Sequence, residues 1–212
     1  ELAESGYEFA TLVRPDQLVA FPSPWLQSLR EIARNDTITL FIGFPQRSED
    51  TYHNAVALID TNGNISGVYQ KREIIPGSLE EWAKPGNNPI LTVNNLSIGY
   101  FICADVVNSD ITNKYLNEQV EIMLSSAAWY PDPSLGSDEY WADLTRTIPV
   151  PLVIANTAGK KGEIDYTGSV SGVYRNGKKI YQVPGCGQVI AFVDWNVTSG
   201  KITQVGEPVP VP

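Results

Sequence analysis

Cys103 is the residue of this sequence whose type and setting first point to chemistry. It follows an apolar, strand-like run, Ser97-Ile98-Gly99-Tyr100-Phe101-Ile102, where that run gives way to a turn and then a helix. The carboxyl ends of strands are where open α/β sheets place their sites. Position alone leaves a second reading open, a small apolar side chain packed in a strand, because free cysteine is among the most buried residue types. A nucleophilic cysteine also needs help, since an ordinary thiol with a pKa of about 8.5 supplies little thiolate at neutral pH.

The usual helper is histidine, and the chain has one, His53, between Tyr52 and Asn54 before a hairpin strand. A Cys103–His53 dyad of the papain type is one reading; a polar side chain at the start of a hairpin is the simpler one. Two cysteines and one histidine in no recognisable spacing make no conventional zinc site. That leaves carboxylates. Glu1, Glu80 and Glu81 stand in suggestive settings, and Lys71 lies at the end of a hairpin strand. Each has an ordinary reading too: Lys71 as a solvated strand-end lysine, Glu1 as part of a frayed terminus.

The elements that must hold these residues follow from periodicity. Apolar positions at helical spacing predict a helix from about Ser23 to Arg34, its first turn delayed or broken by Pro22 and Pro24. Thr37 to Phe44 reads as a strand, and Ala55–Ile59 with Ile65–Gln70 as a hairpin around Asn62-Gly63. Leu96–Ile102 is a strand ending at Cys103, Asp110–Gln119 a helix with an acidic start, and Val120–Ser125 a buried strand. A helix over Ser137–Thr147, a strand over Leu152–Asn156, a hairpin over Ser169–Val183 around Asn176-Gly177 and a last strand over Val189–Val193 complete the set. Pro208 to Pro212 reads as an extended tail. Strands alternating with helices, with hairpins embedded, predict an α/β protein with mixed sheets.

Bulk properties narrow the function classes. A chain of 212 residues, 42% hydrophobic and 10% aromatic, can bury a sizeable core as a single domain. A formal charge of −9 argues against a polyanion-binding surface, so nucleic acid is not an expected partner. No apolar run approaches the ~20 residues that span a bilayer, and no membrane association is expected. Cys103 and Cys186 are expected as reduced thiols. Asn35, Asn64, Asn95 and Asn196 each begin an N-x-S/T triplet that would matter in a secreted chain; the compartment stays open, with the cytoplasm favoured.

Three separated stretches resemble the nitrilase superfamily, the carbon-nitrogen hydrolases that include amidases, nitrilases and carbamoylases. Glu1-Leu2-Ala3-Glu4-Ser5-Gly6-Tyr7 is similar to the family's P-E-x-x-x-x-G-Y segment, and Tyr69-Gln70-Lys71-Arg72-Glu73-Ile74-Ile75-Pro76 to its Y-x-K segment. Gly99-Tyr100-Phe101-Ile102-Cys103-Ala104-Asp105 is similar to its G-x-x-I-C-x-D segment. All three occur in family order, with weaker echoes at Ser125-Ser126-Ala127-Ala128-Trp129 and Ala155-Asn156-Thr157-Ala158-Gly159.

The resemblance implies a four-layer α-β-β-α sandwich with two mixed sheets. It implies Cys103 as nucleophile, Glu1 as general base, and Lys71 with the backbone N–H of Ala104 as oxyanion stabilisers, acting on a small amide-type substrate. Glu80 is the expected second glutamate, with Glu81 as its alternative, and Trp129 is a candidate for the substrate pocket. Ala104-Asp105, where nitrilases usually carry Trp-Glu, favours an amide over a nitrile; Asn108-Ser109-Asp110 departs from the usual Pro-Glu turn. No cofactor or metal is called for, and a homo-oligomer is expected. The family's strand before the base is absent, so the chain is expected to be an N-terminally incomplete copy of a longer enzyme. The rivals are a silent binding or scaffold protein on the same fold and, among enzymes, a nitrilase, an N-carbamoyl hydrolase or an acyltransferase.

Overall fold

Residues 1–7, 21–131, 139–197, 199 and 201–211 are described by the computed structural model of the chain. They fall into two units, Glu1–Asn94 and Asn95–Pro212.

In the first unit, Ser23 caps helix α1 (Pro24–Asp36), its hydroxyl accepting from Leu26 N at 3.2 Å. Pro24 therefore opens the helix instead of breaking it, because the first helical N–H has no intrahelical partner to lose. Thr37, at φ 56°, ends α1 in the left-handed region. The first strand consequently starts three residues later than the β-rich run predicts: β1 spans Leu40–Ser48, β2 Thr51–Ile59 and β3 Ile65–Gln70. They form an antiparallel sheet in the order β1-β2-β3. The β1–β2 turn, with Glu49 at φ 53°, carries β2 back to Thr51 and so places His53 inside the strand.

The β2–β3 turn is the expected one at Asn62-Gly63, with Asp60 Oδ1 accepting from Asn62 N and Asn64 N. Gly63 is required there twice over: its φ is 75°, and a Cβ would lie 2.5 Å from the Arg30 carbonyl oxygen. Arg30 Nε donates to the Gly63 carbonyl, tying α1 to the hairpin. Leu26 and Ala33 of α1 bury against Phe44, Ala55, Ala57 and Ile59 of the sheet, which is the apolar contact that holds this unit together. A short strand, β4 (Leu91–Val93), closes it.

The second unit opens with β5 (Leu96–Ile102), a 3-10 turn (Cys103–Val107) and α2 (Ser109–Asn117). β6 (Ile122–Ala127), α3 (Glu139–Thr147) and β7 (Leu152–Asn156) follow. The hairpin β8 (Lys160–Lys161)–β9 (Ile164–Asp165) precedes β10 (Val170–Arg175) and β11 (Lys178–Pro184). The strands of this unit's main sheet run β11-β10-β7-β6-β5. β5, β6 and β7 are parallel, while β10 is antiparallel to both β7 and β11. Parallel neighbours need long crossovers, which contain α2 and α3, and the antiparallel pair β10–β11 needs only the Asn176-Gly177 turn. Mixed strand direction thus resides in this sheet.

β5 is braced from α2. Gly99 leaves room for the Tyr115 ring, since a Cβ there would lie 2.7 Å from it. The Tyr115 hydroxyl donates to the Tyr100 carbonyl and accepts from Tyr100 N at 3.0 Å. Asn108 caps α2 through its side-chain oxygen, so the helix begins one residue before the predicted Asp110. The predicted Ser137–Thr147 helix is seen over Glu139–Thr147, residues 137 and 138 lying outside the described residues. The predicted Val189–Val193 strand divides into β12 (Val189–Ile190) and β13 (Val193–Asn196) because the two halves pair with different partners. β13 pairs with β14 (Lys201–Val205), and β12 with β15 (Val209–Pro210), which the extended tail supplies. Neither cysteine is in a disulfide; Cys103 is buried and Cys186 exposed. No described helix is long and apolar enough to cross a membrane.

Candidate active site

Lys71, predicted at a strand end, follows β3 directly, and its N–H donates to the Asn54 carbonyl of β2 at 2.8 Å. The two residues are therefore cross-strand neighbours. The loop after Lys71 folds back on the same strand: Lys84 N donates to the Tyr52 carbonyl, Gly86 N to the Lys71 carbonyl and Ala83 N to the Glu80 carbonyl. His53 Nδ1 lies 2.9 Å from the Lys84 carbonyl oxygen, so the histidine serves this loop. The fold-back brings Glu80 against Lys71, whereas Glu81 is exposed and accepts from Gly77 N.

Glu1 is held from the other side by a tight turn. Leu2 is fully buried at φ 48°, and Gly6 N donates to its carbonyl at 2.7 Å. Ser23 donates to Glu4 at 2.6 Å while capping α1. Gly43 of β1 makes the seat: a Cβ there would stand 2.7 Å from Leu2 N and 3.3 Å from the Glu1 carbonyl carbon.

These three supports converge on one buried acid cluster. Lys71 Nζ donates to both Glu80 oxygens, at 2.6 and 2.7 Å, and to Glu1 Oε1 at 2.9 Å. At most 1% of any of the three side chains is exposed. Asn54 Nδ2 donates to Glu1 Oε1 at 2.6 Å and to Glu80 Oε2 at 3.0 Å. Two carboxylates thus share one ammonium and one amide. Burial first, and the like charge of Glu1 second, push the Glu80 carboxyl from an ordinary 4.5 up to about 7, against the opposing pull of Lys71 and Asn54. A group that exchanges a proton near neutrality is suited to acid–base work.

In the second unit, Cys103 opens the 3-10 turn at the end of β5 with φ 48° and 9% of its surface exposed. A non-glycine residue in the left-handed region costs about 1–2 kcal/mol, and such strain concentrates at functional sites. Asp105 secures the turn from within, its buried carboxylate accepting from Ile102 N at 3.0 Å. Ala104, whose N–H is the expected oxyanion donor, is buried beside it.

Trp129 follows β6, and both of its backbone groups are gripped by one side chain: Asn156 Oδ1 accepts from Trp129 N, and Asn156 Nδ2 donates to Trp129 O, each at 2.9 Å. The indole stands edge-on to Trp141, with centroids 5.7 Å apart, and its buried Nε1 has no hydrogen-bond partner among the described residues. No group of three or more His, Cys, Asp and Glu side chains able to hold a metal occurs among the described residues.

Asn54, Asn156 and Gly43 were not singled out for a role by the sequence reading. Asn54 left a faint signal, a polar residue heading the apolar run of β2. Asn156 sits in one of the quoted echoes, but its grip on Trp129 depends on a contact 27 residues away.

Comparison with known proteins bears on the whole arrangement. The sequence model of the carbon-nitrogen hydrolase family matches residues 1–169. A probable nitrilase of Schizosaccharomyces pombe is 24% identical over 85% of this chain and 67% of its own length. A glutamine-dependent NAD(+) synthetase of Thermotoga maritima is 26% identical over 74% of this chain, which spans only 28% of that enzyme. Among solved structures, an amidase from Nesterenkonia sp. AN1 superposes with a TM-score of 0.70 at 19% identity, covering 84% of this chain and 69% of that one. A further structure of that amidase holds butyramide. Order of motifs, α/β fold with a mixed sheet, and a family match across most of its length agree: the chain belongs to the carbon-nitrogen hydrolase family of the nitrilase superfamily.

Proposed function

We propose that the chain hydrolyses a small linear amide through a thioester on Cys103. The observation that carries this reading is the buried Glu1–Lys71–Glu80 cluster, since a cation held between two carboxylates away from water has little value as a structural pair. The nitrilase-type order of the three motifs connects it to Cys103, and the butyramide complex of the Nesterenkonia amidase supports an amide substrate.

In this reading Glu1 accepts the Cys103 thiol proton and the thiolate attacks the amide carbonyl carbon. Lys71 and the Ala104 N–H stabilise the oxyanion of the tetrahedral intermediate. Glu1 returns its proton to the leaving nitrogen, the C–N bond breaks, and ammonia or an amine departs. Glu1 then deprotonates water, which attacks the thioester; the acid leaves and the thiol is restored. Glu80 holds Lys71 and positions the substrate, while Trp129 lines the pocket. The two units act as one hydrolase domain within a homo-oligomer.

The test is ammonia release from a panel of aliphatic amides, carbamoyl amino acids and nitriles, with Cys103→Ala as control. Turnover of amides by the wild type alone is expected. Turnover confined to nitriles or carbamoyl compounds, or undiminished in the variant, counts against the reading.

A further inference from the structure

Asn54 spans both halves of the acid cluster. It lies on β2, the strand between β1 and β3, and is fully buried. Its backbone carbonyl fixes Lys71, and its side-chain Nδ2 reaches two carboxylates at once, Glu1 at 2.6 Å and Glu80 at 3.0 Å. Lys71 stands closer to Glu80 than to Glu1, 2.6 and 2.7 Å against 2.9 Å. The shorter of the donor contacts to Glu1 Oε1 is therefore the one from Asn54.

The other end of the same amide is unserved. Asn54 Oδ1 is buried with no hydrogen-bond partner among the described residues. Turning the amide over would bring that oxygen against two carboxylates, so the chemistry of the neighbours dictates its orientation. A side chain that leaves a buried acceptor orphaned in order to serve two anions is poorly placed for stability alone.

We infer that Asn54 is a positioning residue for the reaction, its carboxamide holding Glu1 at Oε1 and keeping it apart from Glu80. The inference rests on the assignment of Glu1 as base. Lys71 and Asn54 both donate to Oε1, so two donors from different elements fix that oxygen of the Glu1 carboxylate. Among the described residues the ionisable groups bonded around the amide are Glu1, Lys71 and Glu80; His53, next on the strand, is half-buried and engaged with the Lys84 carbonyl. A hydrogen bond to the ionised form favours that form, so removing the Asn54 donor favours protonation of both carboxylates.

The experiment compares Asn54→Leu, similar in size but without a donor, and Asn54→Asp, of the same shape but adding a third carboxylate. The kcat/KM profile for ammonia release is measured against pH beside the wild type and Cys103→Ala, with melting curves to confirm folding. Asn54→Leu is expected to lower kcat on the order of tenfold, with KM little changed, and to move the acid limb upward by about one pH unit. Asn54→Asp is expected to lose more at neutral pH. A variant profile that superposes on the wild type, or a loss confined to KM, overturns the inference; should Asn54→Leu fail to fold, full activity in Asn54→Asp does the same. If Cys103→Ala keeps wild-type activity, the catalytic reading falls and the role of Asn54 falls with it.

Discussion

Lys71 Nζ lies within 2.7 Å of both carboxylate oxygens of Glu80, and neither side chain exposes more than 1% of its surface. Even so, burial and the charge of Glu1 lift the Glu80 carboxyl to about 7. The folded chain therefore holds this proton more tightly than the unfolded chain does. The stability it contributes is fully present below pH 4.5 and is lost as pH rises through about 7. The loss is on the order of 3 kcal/mol for a group this deeply buried. Urea unfolding of wild type and Glu80→Gln across that window should show the difference moving steadily in favour of the variant as pH rises. A difference that does not change with pH would contradict the placement of Glu80.

Gly43 is the seat of the Glu1 turn, with no space for a methyl group beside Leu2 N. Gly43→Ala is expected to cost about 1–3 kcal/mol through overpacking. Under the proposed mechanism it also displaces the base, and kcat is expected to fall roughly tenfold to a hundredfold. Steady-state kinetics beside a thermal melt separates the two effects. A variant within twofold of wild-type kcat shows that the position of Glu1 is immaterial.

The backbone at Cys103 is strained in a way that two small substitutions can weigh. Glycine ordinarily destabilises a regular element by roughly 0.5–1 kcal/mol relative to alanine. At φ 48° the order reverses, since alanine keeps the steric cost that glycine escapes. Cys103→Gly is expected to unfold at a higher urea concentration than Cys103→Ala. The ordinary order would mean that the turn relaxes in solution.

Asn156 holds Trp129 by both backbone groups. Asn156→Ala leaves those buried groups without their partner and is expected to cost about 1–3 kcal/mol. If Trp129 lines the substrate pocket, KM rises more than kcat falls. An unchanged KM in a folded variant removes Trp129 from the pocket.

What the sequence made legible is the part of the molecule governed by local rules. β5 ends at Ile102 and the turn begins at Cys103 as predicted, because an apolar run and its interruption are visible in one stretch. The Asn62-Gly63 and Asn176-Gly177 turns are equally local, each placing positive φ on residues that tolerate it. The β1–β2 hairpin escaped because Glu49, not glycine or asparagine, takes the left-handed position in a uniformly polar stretch. Glu80 and Glu81 are adjacent in sequence and alike in chemistry; the fold-back after Lys71 is what buries one and exposes the other. Asn54 and Gly43 act on residues 53 and about 40 positions away, beyond the reach of any pattern read along the chain.

The central claim, that Cys103 is an activated nucleophile, is tested most directly by the relative alkylation rates of the two thiols. Exposure alone favours Cys186, which is open to solvent, over Cys103, which is buried. With limiting iodoacetamide and peptide mass mapping, Cys103 is expected to be modified much faster than Cys186 and to be protected by a saturating amide substrate. Equal, slow labelling of both thiols, or faster labelling of Cys186, would contradict the account.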